Sequence, residues 1–278
     1  MDRAPLDFAF SPCPNDTFAF HAILERRIDM RGFELDVELV DVQRLNDGLF
    51  SGRYDVSKAS FHAALLLSDR FVVLASGAAL GFGVGPLLVA AGPGRAPSPQ
   101  SRVLCPGKTT TATLLYHCLH PHQGTISQAV FTDIGPALLR GDADLGVLIH
   151  EGRLTYQRDG LTLVEDLGTS FERLSDAPVP LGGILADRAL PDGVAAEFAS
   201  LLRESIAYGW ANRDEALVTI RRHAQEMDES VIWPYVELYV NDHTVDMGDD
   251  GMRALETLER QARAAGILNS GSRLLVLA

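Results

Sequence analysis

Over its first ninety residues the chain alternates runs of strand length with runs of helix length, and only layered α/β folds accommodate that rhythm. Residues 6–11 read as a short buried strand. The turn Pro12-Cys-Pro-Asn-Asp-Thr follows, with Asn15 or Asp16 available to cap the apolar helical stretch beyond it. Phe33-Glu-Leu-Asp-Val-Glu-Leu-Val alternates apolar and acidic residues, as a strand with one solvated face does. A helix is expected over residues 42–50. Tyr54-Asp-Val-Ser-Lys-Ala-Ser-Phe-His then reads as a strand leading into a helix that runs to residue 67.

Residues 71–94 carry no charge and are long enough to cross a bilayer. Gly77, Gly81, Gly83, Gly85 and Pro86 interrupt the run, so it reads instead as two buried strands around a Gly-rich turn. Gly92-Pro-Gly-Arg-Ala-Pro-Ser-Pro-Gln is the richest Pro and Gly stretch and marks a crossing into a second lobe, and Pro178-Val-Pro-Leu-Gly-Gly marks the return. The expected division is a large discontinuous lobe of residues 1–92 and 186–278 and a small lobe of residues 93–185. The small lobe repeats the rhythm, with strands at Arg102-Val-Leu-Cys, Gln128-Ala-Val-Phe and Ala143-Asp-Leu-Gly-Val-Leu-Ile and helices over 112–120 and 134–140. Further helices are expected over 194–211, after a capping box formed by Asn212 and Glu215, and up to Gly266. A length of 278 residues suits two such lobes, and no period points to a repeat array.

An apolar fraction of 46% and a charged fraction of 22% are those of an ordinary globular protein. The net charge of -13, with 37 acidic against 24 basic side chains and no Lys/Arg block, argues against nucleic acid as a partner. It does not exclude an acidic small molecule, because a few local donors decide binding in a closed pocket. Cys13, Cys105 and Cys118 form no C-x-x-C pair, and Met-Asp-Arg-Ala-Pro at the N-terminus lacks a basic-then-apolar leader, so a reducing cytoplasm and no membrane association are expected.

The segment with most chemical content is Gly146-Val-Leu-Ile-His150-Glu-Gly-Arg, which puts an imidazole at the carboxyl end of a buried strand. Open α/β sheets bind ligands there, and an imidazole that titrates near neutrality can accept a proton, so His150 is a candidate general base. A structural histidine bonded to a loop carbonyl is the plain alternative. Pro106-Gly-Lys-Thr-Thr-Thr-Ala places Thr110 and Thr111 at a helix start, where free amides and hydroxyls suit a carboxylate or phosphate; a simple threonine cap would look the same. It is half a nucleotide P-loop, with Arg102 where the first glycine belongs, which argues against ATP.

Lys58, Ala59 and Ser60 follow a strand of the first lobe and can face the same ligand, although a lysine and a serine alone are unspecific. In Ser11-Pro-Cys-Pro-Asn-Asp-Thr17 two prolines lock the backbone around Cys13, which reads as a rigid cleft wall, with a nucleophile paired to His150 as the sharper alternative. His117, Cys118, His120 and His122 are close in sequence, but no carboxylate completes a shell and histidines at a helix end are favourable without a metal, so no metal is expected. Tyr239-Val-Asn-Asp-His-Thr-Val-Asp-Met-Gly reads as a polar loop with His243 exposed.

Taken together, Ser11-Pro-Cys-Pro-Asn-Asp-Thr-Phe18, Lys58-Ala-Ser60, Gly107-Lys-Thr-Thr-Thr-Ala112, Ile149-His-Glu-Gly-Arg153 with Thr155-Tyr156, and Tyr239-Val-Asn241 resemble the 1,4-dihydroxy-6-naphthoate synthase family over nearly the whole chain. The resemblance implies a two-lobed α/β fold of the periplasmic binding protein type 2 kind, with two crossings and a cleft between the lobes. It implies a carbon–carbon lyase of the futalosine route to menaquinone that splits cyclic dehypoxanthine futalosine into 1,4-dihydroxy-6-naphthoate and dihydroxyacetone. His150 matches the family's base, and Lys58, Ala59, Ser60, Thr110 and Thr111 match its substrate contacts, with Asn15, Asp16 and Arg153 expected further along the cleft. No cofactor is implied, and the partner is a small carboxylate. Two rivals share the architecture: a solute-binding protein, which would carry a leader, and chorismate dehydratase, which should lack the His-Glu-Gly-Arg segment.

Overall fold

The computed structural model describes residues 5–223, 229–269, 271 and 273–277; residues 1–4, part of the stretch considered for a leader, lie outside them. The strands in chain order are β1 (Leu6–Phe10), β2 (Leu35–Leu39), β3 (Val56–Ser60), β4 (Phe71–Leu74), β5 (Ala79–Gly81), β6 (Leu87–Ala90), β7 (Arg102–Cys105), β8 (Thr125–Gln128), β9 (Leu145–Leu148), β10 (Thr162–Asp166), β11 (Val179–Asp187) and β12 (Val276–Leu277). They form two sheets, one ordered β12-β4-β11-β3-β1-β2 with β5 attached to β11, the other ordered β10-β6-β9-β7-β8.

The two sheets follow one plan. In the first, β2, β1 and β3 run parallel and β11 lies antiparallel between β3 and β4. In the second, β8, β7 and β9 run parallel and β6 lies antiparallel between β9 and β10. In each sheet the inverted strand is the one with which the chain arrives from the other half.

Both sheets are covered on two faces, as mostly parallel sheets are. Along β1, Phe8 and Phe10 enter a core with Phe18, Phe20 and Phe198, while Ala9 faces a second core with Ala59 and Tyr235. Leu88 and Ala90 of β6 likewise enter a different cluster from Leu87 and Val89, following the strand period of two. The helix Thr111–Leu119 lies at the seam: Ala112 and Tyr116 pack in the second sheet's core, Leu114 and Leu115 in the first's.

The crossings fall earlier than the Pro and Gly clusters suggest. The chain leaves the first sheet between Gly81 and Leu87 and returns between Asp166 and Val179, ahead of the expected boundaries at 92/93 and 185/186. The stretch at 92–100 is a loop joining β6 to β7 inside the second sheet, so the two strands expected around one Gly-rich turn, 71–74 and 87–90, belong to different sheets. Pro180, Gly182 and Gly183 lie within β11, whose pairing with β5 shifts register between Pro180 and Gly182; an irregularity of that kind tolerates a residue without an amide proton. The two crossings touch where a Cβ on Gly85 would sit 2.1 Å from the Gly168 Cα.

Two local expectations also change. Asn212 ends the helix Val194–Ala211 and its side-chain amide donates back to the Tyr208 carbonyl. Asn241 caps a short helix, Asp242–Val245, in a capping box with Thr244 where a loop is expected. No helix among the described residues is long and apolar enough to cross a membrane.

Candidate active site

The carboxyl ends of the parallel strands of both sheets point at one gap. Ser11 follows β1 and Ser60 ends β3; across the gap Thr110 and Thr111 follow β7 and His150 follows β9. Gly85 and Pro86 lead into β6, and Leu181 and Gly182 lie in β11 beside Ser60. Together these residues line a cavity of about 710 Å³, a figure that includes its solvent-open mouth. His150, Lys58, Ala59, Ser60, Thr110, Thr111, Asn15 and Asp16 all line it; Arg153 does not.

The polar wall of the first half is built on a buried ion pair. Lys58 Nζ lies 3.1 Å from Asp16 Oδ1 and donates to the Gly77 carbonyl at 3.0 Å, which leaves one ammonium proton without an acceptor among the described residues. Asp16 also accepts from Asn15 Nδ2 at 3.0 Å and from Ser11 Oγ at 2.6 Å, so its charge is neutralised within its own wall. Ser60 Oγ accepts from Asn46 Nδ2 at 3.3 Å while Asn46 Oδ1 accepts from the Ser60 amide; the Ser60 hydroxyl proton has no acceptor among the described residues.

On the opposite wall the threonine hydroxyls are occupied. Thr110 caps its helix, donating to the Gly107 carbonyl at 2.9 Å and accepting from the Thr113 amide, and Thr111 donates to the Leu181 carbonyl at 2.6 Å. His62 Nδ1 bonds the Thr110 carbonyl at 3.2 Å, and burial pulls that imidazole's pKa down to about 4, so it is a neutral donor. The hydroxyls thus hold the helix start in place. The amides of Thr111 and Ala112, the first two of the helix, find no acceptor among the described residues and are the groups open to an anion.

His150 completes the cavity. Its backbone is left-handed (φ 55°), an uncommon conformation for a residue with a Cβ, and one that an adjoining Glu-Gly turn permits. Nδ1 lies 3.3 Å from Tyr235 Oη and 3.6 Å from Cys13 Sγ, and the Phe131 ring packs edge-on at 5.0 Å. Nε2 makes no hydrogen bond among the described residues. Burial lowers the imidazole pKa, but Cys13, through charge and hydrogen bond, and then the charges of Glu151 and Asp16 outweigh it and lift the value to about 9. Tyr235 is held as a neutral phenol, its pKa raised well above the usual value by burial.

Tyr235 and Tyr239, from the helix Glu229–Tyr239, also line the cavity; Tyr235 is not singled out by the sequence, and Tyr239, expected to open a polar loop, instead ends this helix. Asp144 does not reach the imidazole: it is paired with Arg102 at the amino ends of β9 and β7, and the hydrogen bonds from Arg102 hold its pKa down to about 2. Arg153 donates to the Gly85 carbonyl at 2.8 Å and to Asp166 Oδ2 at 2.6 Å, clasping the second-sheet ends of both crossings. His120 Nε2 pairs with Glu165 at 2.8 Å, and the described residues contain no group of three or more His, Cys, Asp or Glu that could hold a metal.

Two similarly wound halves, with polar groups of each converging on one gap, define a protein of the periplasmic-binding-protein-like class. An alkanesulfonate-binding protein from Xanthomonas axonopodis pv. citri has this fold, with a TM-score of 0.71 at 13% identity, covering 97% of this chain and 96% of its own. A crystal structure of a protein from Archaeoglobus fulgidus is closer, with a TM-score of 0.89 at 32% identity over 95% of this chain and 98% of its own. Residues 6–264 match the family model described as menaquinone biosynthesis, and the 1,4-dihydroxy-6-naphthoate synthase of Thermus thermophilus is 43% identical over 263 residues, 94% of this chain and 95% of that one. The chain belongs to this menaquinone-biosynthesis family.

Proposed function

We propose that the chain is a lyase that splits cyclic dehypoxanthine futalosine into 1,4-dihydroxy-6-naphthoate and dihydroxyacetone, with His150 as the base that removes the initiating proton. The observation that carries this reading is the asymmetry of the His150 ring: Nδ1 is engaged by Tyr235 and Cys13, and Nε2 has no partner among the described residues, in a side chain that lines the cavity. Loss of one proton starts a retro-aldol-like cleavage, and aromatisation of the new ring makes the later steps downhill. Such chemistry needs a base and a rigid cage. The Ser60 hydroxyl, the remaining Lys58 proton and the amides of Thr111 and Ala112 supply donors for the substrate carboxylate.

A pKa raised to about 9 makes the imidazolium the resting form at pH 7. The base is therefore formed by loss of that proton before turnover. Incubating the purified protein with the cyclic substrate, without added metal or nucleotide, should release the fluorescent naphthoate. Binding without release would identify a receptor for small acids, and dehydration of chorismate in its place would identify the sister enzyme.

A further inference from the structure

A second pocket adjoins the first and shares three of its residues. Ser11, Val42 and His150 line both, so they form a neck between an inner and an outer chamber. The outer chamber measures about 900 Å³ with its mouth and is bounded by Cys13, Asp41, Arg44, Phe131 and Glu151. The two differ in chemistry. Val84, Pro86, Ala112 and Tyr239 give the inner chamber apolar flanks suited to a flat ring system, and its Lys58 and Asp16 are paired with each other, with one Lys58 proton left for a ligand. The outer chamber presents two carboxylates against one guanidinium.

We infer that the substrate lies across both chambers, its carboxylated ring system inside and its hydroxylated three-carbon fragment outside, so that the bond to be broken falls at the neck beside His150. This rests on the proposed cleavage reaction. Charge sets the direction. A carboxylate placed outside would face Asp41 and Glu151 with Arg44 alone to offset them, whereas inside Asp16 is already paired and the carboxylate meets the remaining Lys58 proton and a helix start. Hydroxyl groups have the opposite preference, because a carboxylate accepts their protons directly. Among the described residues the Glu151 carboxylate makes no hydrogen bond or ion pair and is free to do so. Asp41 is partly committed: Oδ1 caps the helix Val42–Ser51 through the Gln43 and Arg44 amides, and Oδ2 lies 3.5 Å from Arg44 Nε.

The test uses the two products as separate probes. Fluorescence titration gives the Kd of 1,4-dihydroxy-6-naphthoate with and without saturating dihydroxyacetone, and saturation-transfer NMR gives the Kd of dihydroxyacetone. Wild type should bind both at once, with the naphthoate Kd changed less than about twofold; Glu151→Gln should weaken dihydroxyacetone about fivefold or more and leave the naphthoate Kd within about twofold. Competition between the two products, parallel weakening of both in Glu151→Gln, or no saturable binding of dihydroxyacetone would each overturn the two-chamber site. Turnover of the cyclic substrate is scored separately. A protein that forms the ternary complex without turnover keeps the chambers and loses the lyase reading; one that turns over while the products compete loses the chambers alone.

Discussion

Two contacts on one edge of the His150 ring leave a single nitrogen for chemistry. If Nε2 takes the proton, His150→Ala should lower turnover about 10²-fold or more while the naphthoate Kd is retained; unchanged turnover removes the residue from the mechanism. A base works only when deprotonated, so kcat/KM of the free enzyme should rise with pH through an inflection at about 9, level off above it and fall as the ring is protonated below it. Cys13→Ser removes the largest influence raising that pKa and should move the inflection downward with most activity kept. Complete loss with an intact fold would make Cys13 a nucleophile. His150 could be picked out because a histidine between a buried strand and a Glu-Gly turn has few places to go. Tyr235 could not, being 85 residues further on and also part of the core. The threonines show a subtler limit: the sequence marks a helix start, but only the packed structure shows that their hydroxyls are used internally and that the amides are the open donors.

At the scale of strands and helices, periodicity and caps place most elements within a few residues, as with the helix Val42–Ser51 and the strand Arg102–Cys105. Which sheet a strand joins is a non-local fact, and that is where the reading fails. Pro and Gly mark any loop, so the 92–100 stretch looks more like a crossing than the short span at 82–86 that is one. The real crossing is marked by a contact. Gly85 and Gly168 meet backbone to backbone, and no flexible side chain can yield there. Gly85→Ala should therefore cost about 1–3 kcal/mol, read from the urea midpoint, whereas Gly92→Ala, with open space around it, should stay within about 0.5 kcal/mol.

The whole molecule is tied across the gap by polar contacts as well as by its crossings. Gln43 Nε2 donates to Thr109 Oγ1 at 3.1 Å and Gln43 Oε1 accepts from the Thr109 amide, while Asn46 donates to the Thr109 carbonyl. Ligand-free Gln43→Ala should scatter as a more expanded particle than wild type and contract to the wild-type profile on binding naphthoate; identical ligand-free profiles would show that this contact does not hold the halves. The matching polarity of the two sheets has a consequence of its own. Ser11, Thr110 and His150 lie just beyond strand ends, outside any ladder, whereas Lys58, Ala59 and Ser60 are themselves paired to β11 and Tyr235 sits within a helix. Substitutions in the first group can change the cavity without touching a strand pairing, whereas those in the second disturb sheet or core and cavity together.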